Sequence, residues 1–596
     1  MKKMVSILLA MALSLSLLCT GIAEGVTGTY EGAAYGNNAD VRVAVTFDGG
    51  VITEVKVVEH AETPGLSDAP IERIPAQIVK YQTLAVDTVS GATNTSKAII
   101  GAVEAAIAAA GADVAAYSKA VEMNAGEAKV EELKAELLII GGGGAGMTAA
   151  IAAANNGVDV LLIEKMAQLG GATAVSGGGV IATGSNLQKV RGIEDTPEKM
   201  IEDFVKHGDG MNNMPMLTMY ANNLGKVTDW LETVVGVPYG EPGYAAEYQE
   251  LRSFSIIGSA AGLNASLTKA LDNCAAKYML DTRATELIVE DGKVVGAVAQ
   301  GLENTVYNIR AEAVLMATGG YGYAKDLLPD ALKNVLYYGP KCSTGDGQKM
   351  LMALDAKFEL FEYGKIYPNG VEVSEGIAKS TIFPNYNAFT ASGILIGKDG
   401  KRLVNEKGSN RALKDVLMAL PDQTNYMFMD AASFDLFTQA IARNGISEGE
   451  LNTWLAANGT ITPVFAHADT IDEVAAIVGI DAANLKATVE RYNGFVEAGV
   501  DADFGRPADF LKAKIGEGPY YIVEQKPRFA TTMGGVVLND NLQIINNAGE
   551  VIPGLYGAGE IANLVHGTDS PSGANVGWAL TSGYLAGNAI SAALGK

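Results

Sequence analysis

The segment AELLIIGGGGAGMTAAIAAANNGVDVLLIEK, residues 135–165, constrains the fold more than any other stretch. An apolar run, a glycine cluster, a helix of small residues, a second apolar run and an acid follow in the order of a βαβ unit. Gly141, Gly143 and Gly146 take the G-x-G-x-x-G positions between the first run and the helix. Glycine there lets backbone approach a pyrophosphate, whose charge a helix N-terminus favours. Glu164 closes the second run about 20 residues on, where a carboxylate can hold ribose hydroxyls. A Rossmann-like α/β domain holding a dinucleotide is therefore expected from residue 134.

Further glycine-rich segments point to a long dinucleotide, FAD rather than NAD. QLGGATAVSGGG (168–179) follows the acid and offers Gly170, Gly171, Thr173 and Gly178. ATGGYG (317–322) offers Gly319 and Gly320, STGDGQKM (343–350) offers Asp346, and GLYGAGE (554–560) ends on Glu560. Each alone is compatible with an ordinary turn. In this order they suit an extended bound flavin nucleotide.

Ahead of this domain lies a smaller α/β one. VRVAVTF (41–47) and VITEVKVV (51–58) alternate around Asp48-Gly49-Gly50, a hairpin signal. A helix is expected over 71–81, and an alanine-rich helix to about residue 110. DTVSGATNTSKAI (87–99) opens that second helix with a crowd of hydroxyls. By residue type alone, Thr93 and its neighbours read as helix caps. The stretch 116–133 is polar and lacks core periodicity, so a linker is expected there.

The N-terminus, MKKMVSILLAMALSLSLLCTGIAEG, has two lysines, an apolar run and then small residues. That is the pattern of a secretory signal with cleavage after Ala23, residues 1–23 being removed. Bulky Leu18 before Cys19 argues against a lipid anchor there. Secretion to the periplasm or cell surface is expected. A formal net charge of -24 disfavours nucleic acid or an anionic membrane surface as partner. Only four histidines are present, without ligand spacing, so no metal site is expected. No C-x-x-C-H and no cysteine cluster exist for haem or iron–sulfur.

With GILIGKDGKRLVNE (393–406), TTMGG (531–535) and GEIANLVHG (559–567), residues 135–596 resemble the fumarate reductase-type flavoproteins, which include flavocytochrome c fumarate reductases and urocanate reductases. The resemblance implies an FAD-binding domain in two parts, 134–365 and 530–596. Between them, 366–529 would form an inserted α+β capping domain. It adds Gly534, Gly535 and His566 to the flavin-binding set. Ala172 stands where membrane-bound relatives carry a histidine bonded to FAD, which implies non-covalent FAD.

Residues 24–115 resemble the small α+β FMN-binding domain fused to such reductases. There D-x-x-[ST]-G-A-[ST] marks a hydroxyl esterified to FMN phosphate by a flavin transferase. Asp87, Ser90, Gly91, Ala92 and Thr93 fit every fixed position, implying covalent FMN on Thr93. FMN would then take electrons from a membrane or surface donor and relay them to FAD.

The family reduces a polarised C=C bond: hydride goes to one carbon, and an arginine in the cap protonates the other. Arg411 is the matching candidate, with one residue more than the family spacing. Tyr367, Thr531 and Ser570 stand where fumarate reductases use two histidines and an arginine to hold carboxylates. Tyr386 and Phe389 stand where an acid and an arginine feed the proton donor. Tyr367 and Tyr386 are therefore expected as catalytic groups, and Thr531 and Ser570 as substrate contacts. A dicarboxylate would lack charged partners, each worth about 1.5–3 kcal/mol as a hydrogen bond. A small unsaturated acceptor, neutral or partly aromatic, is expected instead of fumarate. PSGANVGWALTSGYLAG (571–587) is also similar to 3-ketosteroid dehydrogenases, which keeps a ketone- or steroid-oxidising dehydrogenase open. A non-catalytic extracellular flavin carrier is the third reading.

Overall fold

The protein is described by a computed structural model covering residues 25–36, 39–62, 67–89, 91–120, 128–245 and 247–596. Ser90 and the proposed signal, with Cys19 and Ala23, lie outside the described residues. The chain divides into two compact units. One holds residues up to Lys129 with Met166–Gln168 and Gly301–Val306; the other holds Val130–Lys165, Leu169–Gln300 and Tyr307–Lys596.

In the first unit, strands Gly28–Tyr35, Asp40–Asp48 and Val51–Glu59 form an antiparallel sheet in that order. Val41, Val43, Val45 and Phe47 are buried on one face, as the alternation predicts. Gly49 and Gly50 both have positive φ, so the two-residue turn matches the strand twist. Helices Asp68–Tyr81 and Thr93–Ala109 cover the buried face. A Cβ on Gly32 would lie 2.1 Å from the Ala102 carbonyl, so strand and alanine-rich helix touch backbone to backbone.

The second unit is built on an eight-stranded sheet. Strand Lys129–Ile140 runs parallel to Val160–Ile163, and that strand to Lys277–Met279. Leu137–Ile140 and Val160–Ile163 are wholly buried, as parallel strands covered on both faces must be. The first strand begins at Lys129, inside the stretch expected to be a linker. Its N-terminal half is exposed on alternate residues, and that polarity hid the strand from composition. Helix Gly144–Asn155 lies against helix Ala574–Ala593, where a Cβ on Gly583 would sit 2.2 Å from the Ala145 carbonyl.

A seven-stranded sheet carries the region expected to cap the first. Its central strands are Gly364–Ser374 and Tyr520–Thr532, antiparallel with Tyr367 opposite Arg528. Around it pack helices such as Glu448–Ala457 and Ile471–Val478, each opened by a capping box, Ser447/Glu450 and Thr470/Glu473. Tyr521 stacks on Phe434 in the cluster where Phe389 is buried, and Tyr520 stacks on Phe428 in a second cluster. Phe389 is core, and the two tyrosines are half-buried. No helix among the described residues is long and apolar enough to cross a membrane.

Candidate active site

One cavity of about 950 Å³ runs from the βαβ turn to the central strands of the second sheet. At its first end the chain leaves the buried strand at Gly141 with φ 112°, a conformation glycine adopts without strain. Glu164 accepts the Gly142 N–H at 2.6 Å, and Thr173 Oγ1 accepts the Gly144 N–H at 3.2 Å. Gly141, Gly143, Glu164, Gly171, Thr173, Gly319, Asp346 and Glu560 line this end. These eight of the expected flavin-binding residues are brought together on one wall, where the backbone of the turn and a helix N-terminus are open to the cavity.

The other expected glycines do not line the cavity. A Cβ on Gly146 would lie 1.9 Å from the Gly141 carbonyl, so this glycine closes the helix onto its own turn. Gly170 pairs with Gly143 in an isolated bridge. Gly178 makes room for the Ser259–Ala260 backbone, and Gly320 for the Glu560 carboxylate and Thr532. Gly534 and Gly535 admit the Phe361 and Ile561 backbones. Their work is close packing behind the wall.

Asp346 is gripped by Lys165 and Arg283, both at 2.8 Å. Burial would raise its pKa, but the hydrogen bonds from Arg283 and Lys165 hold it at about 2. Glu560 is the opposite case. Burial pushes its carboxyl up to about 7, although the Thr532 N–H and Oγ1 donate to it at 2.8 and 2.9 Å. A carboxyl raised in the fold contributes stability that is complete below its unfolded value and lost as pH rises through the folded one. We expect FAD-free protein to lose up to roughly 3 kcal/mol of stability between about pH 4.5 and 7 from this group. Thermal melts across that range should flatten in Glu560→Gln; an unaltered slope would contradict the assignment.

At the far end, Lys365 and Tyr367 alternate on one face of their strand, and both line the cavity. Lys365 is buried; its ammonium donates to the Ser570 carbonyl and lies 3.4 Å from Asp569. Burial opposes that charge, but Tyr367 and Asp569 outweigh it and raise the lysine pKa. Asp569 is held well below the usual carboxylate range: Lys365 and His207, whose Nε2 is 3.5 Å away, overcome its burial. The Tyr367 phenol is pushed up to about 12 by burial, against the pull of Lys365 and Arg528. The Lys365 ammonium is 5.2 Å and the Arg528 guanidinium 4.6 Å from the Tyr367 ring centre.

Sequence reasoning missed Lys365, Asp569 and Arg528. The two-residue period from Tyr367 is the signal that finds Lys365. Thr531 lines the cavity, as does Tyr386, whose hydroxyl accepts from Asn410 at 2.8 Å. Ser570 does not line it; its Oγ accepts from Asn575 at 2.5 Å behind the wall.

Two expected site residues lie elsewhere. Arg411 donates to Asp209 at 2.6 Å and to the His207 carbonyl at 2.8 Å, and is not on the cavity wall. This ion pair ties helix Asn410–Ala419 down, in place of the expected contact with a reacting carbon. His566 is buried beside Phe204 and does not line the cavity, in place of the expected flavin contact. Burial lowers its pKa to about 3, so the ring is neutral.

In the first unit, Thr93 begins its helix but does not cap it; Ala92 takes the cap position, with no side-chain cap. Ser96 Oγ instead accepts the Val89 N–H at 3.1 Å and donates to the Ala92 carbonyl at 2.9 Å. Thr95 donates to Glu62. Thr93 is half-buried, and Gly91 just before it has φ 83°. Asp87 is exposed.

Residues 136–576 match the family described as the FAD binding domain, and residues 36–108 that described as the FMN-binding domain. The chain is 29% identical to urocanate reductase of Eggerthella lenta, over 96% of this chain and 94% of that protein. It is 30% identical to fumarate reductase (cytochrome) of Shewanella frigidimarina, over 76% of each. Among solved structures, the open conformation of a flavocytochrome c3 fumarate reductase is similar at 28% identity and TM-score 0.64, covering 77% of this chain and 78% of that one.

Proposed function

The chain belongs to the FAD binding domain family, as one of its oxidoreductases that reduce C=C bonds, and on that premise we propose that it hydrogenates an activated C=C bond of a small organic acceptor. The observation that carries the reading is the continuity of one cavity from Gly141, Glu164 and Thr173 to Lys365 and Tyr367. When bound there, reduced FAD supplies the hydride for one alkene carbon. Tyr367 delivers the proton to the other, so one C–H bond forms at each end of the former double bond. Lys365 and Arg528 stabilise the phenolate left behind, because both already pull the tyrosine pKa down against burial. Lys365, Asp569 and His207 form a polar path along which the phenol regains its proton. Tyr386 and Thr531 orient the acceptor.

Thr93 would hold FMN as a phosphoester made by a flavin transferase, and the group held there would supply a relay for electrons from a membrane or surface donor outside the cytoplasm to FAD. The support for this is the D-x-x-[ST]-G-A-[ST] match and a threonine that its helix does not use as a cap. Residues 1–23 direct export. The test of the reductase reading is turnover by FAD-loaded protein, driven by reduced viologen, on a panel of enoates and enones. Failure on the whole panel sinks it.

Arg411 discriminates between proton donors. Its pair with Asp209 is one-third exposed, and such pairs are worth at most about 1 kcal/mol. Arg411→Lys is therefore expected to lower kcat by less than about tenfold. A drop of a thousandfold with FAD retained would return the donor role to Arg411.

A further inference from the structure

Arg528 is 1% exposed and lines the cavity opposite Tyr367. Its strand neighbour carries Pro368, and the pairing slips between Tyr367 and Gly370. The Asn369 carbonyl, which also accepts the Thr381 N–H at 3.0 Å, accepts from Arg528 Nε at 3.1 Å, while Asn369 Oδ1 accepts from Nε and Nη2 at 3.1 and 2.8 Å. The guanidinium also lies 4.0 Å from the Tyr338 ring centre and 4.6 Å from that of Tyr367. Everything around it fixes its position, yet Nη1 has no hydrogen-bond partner among the described residues. A buried charged donor left without a partner costs more than a neutral one, and such groups are normally satisfied.

The local charge points the same way. Lys365 and Arg528 line this end of the cavity, and Asp569 is the carboxylate paired with Lys365. The side chains that would replace the histidine and arginine anchors of fumarate reductases, Tyr367, Thr531 and Ser570, are uncharged. Yet with Lys365, Arg528 and Arg443 lining this end against Asp569 and Glu247, it carries one positive charge in excess, contrary to the neutral acceptor expected from those three positions.

We propose that Arg528 is the specificity-determining residue of this site, its Nη1 holding the single carboxylate of an α,β-unsaturated acid against the Tyr338–Tyr367 wall. The anion anchor has thus moved from the strand end at Thr531 to the strand centre at Arg528. One carboxylate is accommodated, since Nη1 is the guanidinium nitrogen that Asn369 leaves free. This rests on the reductase reading above.

The experiment compares 3-phenylpropenoate with its primary amide, and crotonate with crotonamide, using FAD-loaded protein and reduced viologen. Wild type should favour acid over amide by about 10- to 100-fold in kcat/KM, chiefly through KM. Arg528→Met should bring that ratio to within about threefold of unity, and Arg528→Lys should restore part of it. An unchanged ratio in Arg528→Met, or a wild type indifferent to the acid, overturns the proposal. Should the Met variant fail to retain FAD, titration of oxidised wild type with 3-phenylpropanoate and its amide, followed by flavin absorbance, decides. At least tenfold tighter acid binding supports the anchor, and equal binding overturns it. If wild type binds the acid tightly but reduces nothing on the panel, the reductase reading fails while the anchor stands.

Discussion

Thr93→Ala protein, made alongside a flavin transferase, keeps no yellow colour on the denatured polypeptide, whereas wild type and Thr93→Ser do. The expected effect is all or none, because the ester needs a hydroxyl at this position. The local physics favours the attachment. Thr93 opens a helix of 17 residues whose first N–H groups face any phosphate on its side chain. Gly91 at φ 83° turns the chain sharply just before it. The hydroxyl that ties this segment together is that of Ser96, between the Val89 N–H and the Ala92 carbonyl, and the helix takes no side-chain cap from Thr93. Intact mass before and after denaturation gives the measurement. Non-covalent FAD should remain at one per chain in all three proteins, because the Gly141–Thr173 cradle is untouched. Covalent flavin on the alanine variant, or none on wild type, would remove the electron route proposed here.

Tyr367→Phe is expected to lower kcat by about 10²–10⁴, the range for loss of a positioned proton donor. Reduction of bound FAD by viologen should proceed at the wild-type rate, since the ring keeps its place between Lys365 and Arg528. The variant would thus accumulate reduced flavin in the presence of acceptor. A solvent isotope effect on wild-type turnover should vanish or change in the variant. The fold is not at stake, because phenylalanine fills the same volume and Tyr367 has no hydrogen bond on which its strand depends. If kcat falls less than tenfold, the phenol is not the donor.

Local pattern carried much of the architecture. The buried runs at Leu137–Ile140 and Val160–Ile163, with glycines between them, made the βαβ unit legible, because period and punctuation are properties of neighbouring residues. The hairpin around Gly49-Gly50 and the helix from Thr93 were legible for the same reason. Single glycines were harder to read. Gly141 and Gly146 look alike in a motif, yet one lines the cavity and the other lets a helix close onto a carbonyl. A glycine states that space is needed and not which neighbour needs it. The structure places His566 and Arg411 off the cavity wall, and motif position carries no information on which way a side chain is buried or paired.

By itself the sequence determined the βαβ nucleotide cradle and its place behind a smaller α/β domain. These follow from spacing within a few tens of residues, where backbone geometry leaves little choice. Only the tertiary structure decided what charge meets the acceptor. Asn369 and Arg528 are 159 residues apart, and their meeting depends on one strand pairing and one slip in its register. Register is a property of the assembled sheet, so the residues that set the cavity's charge had no signature until the two strands were side by side.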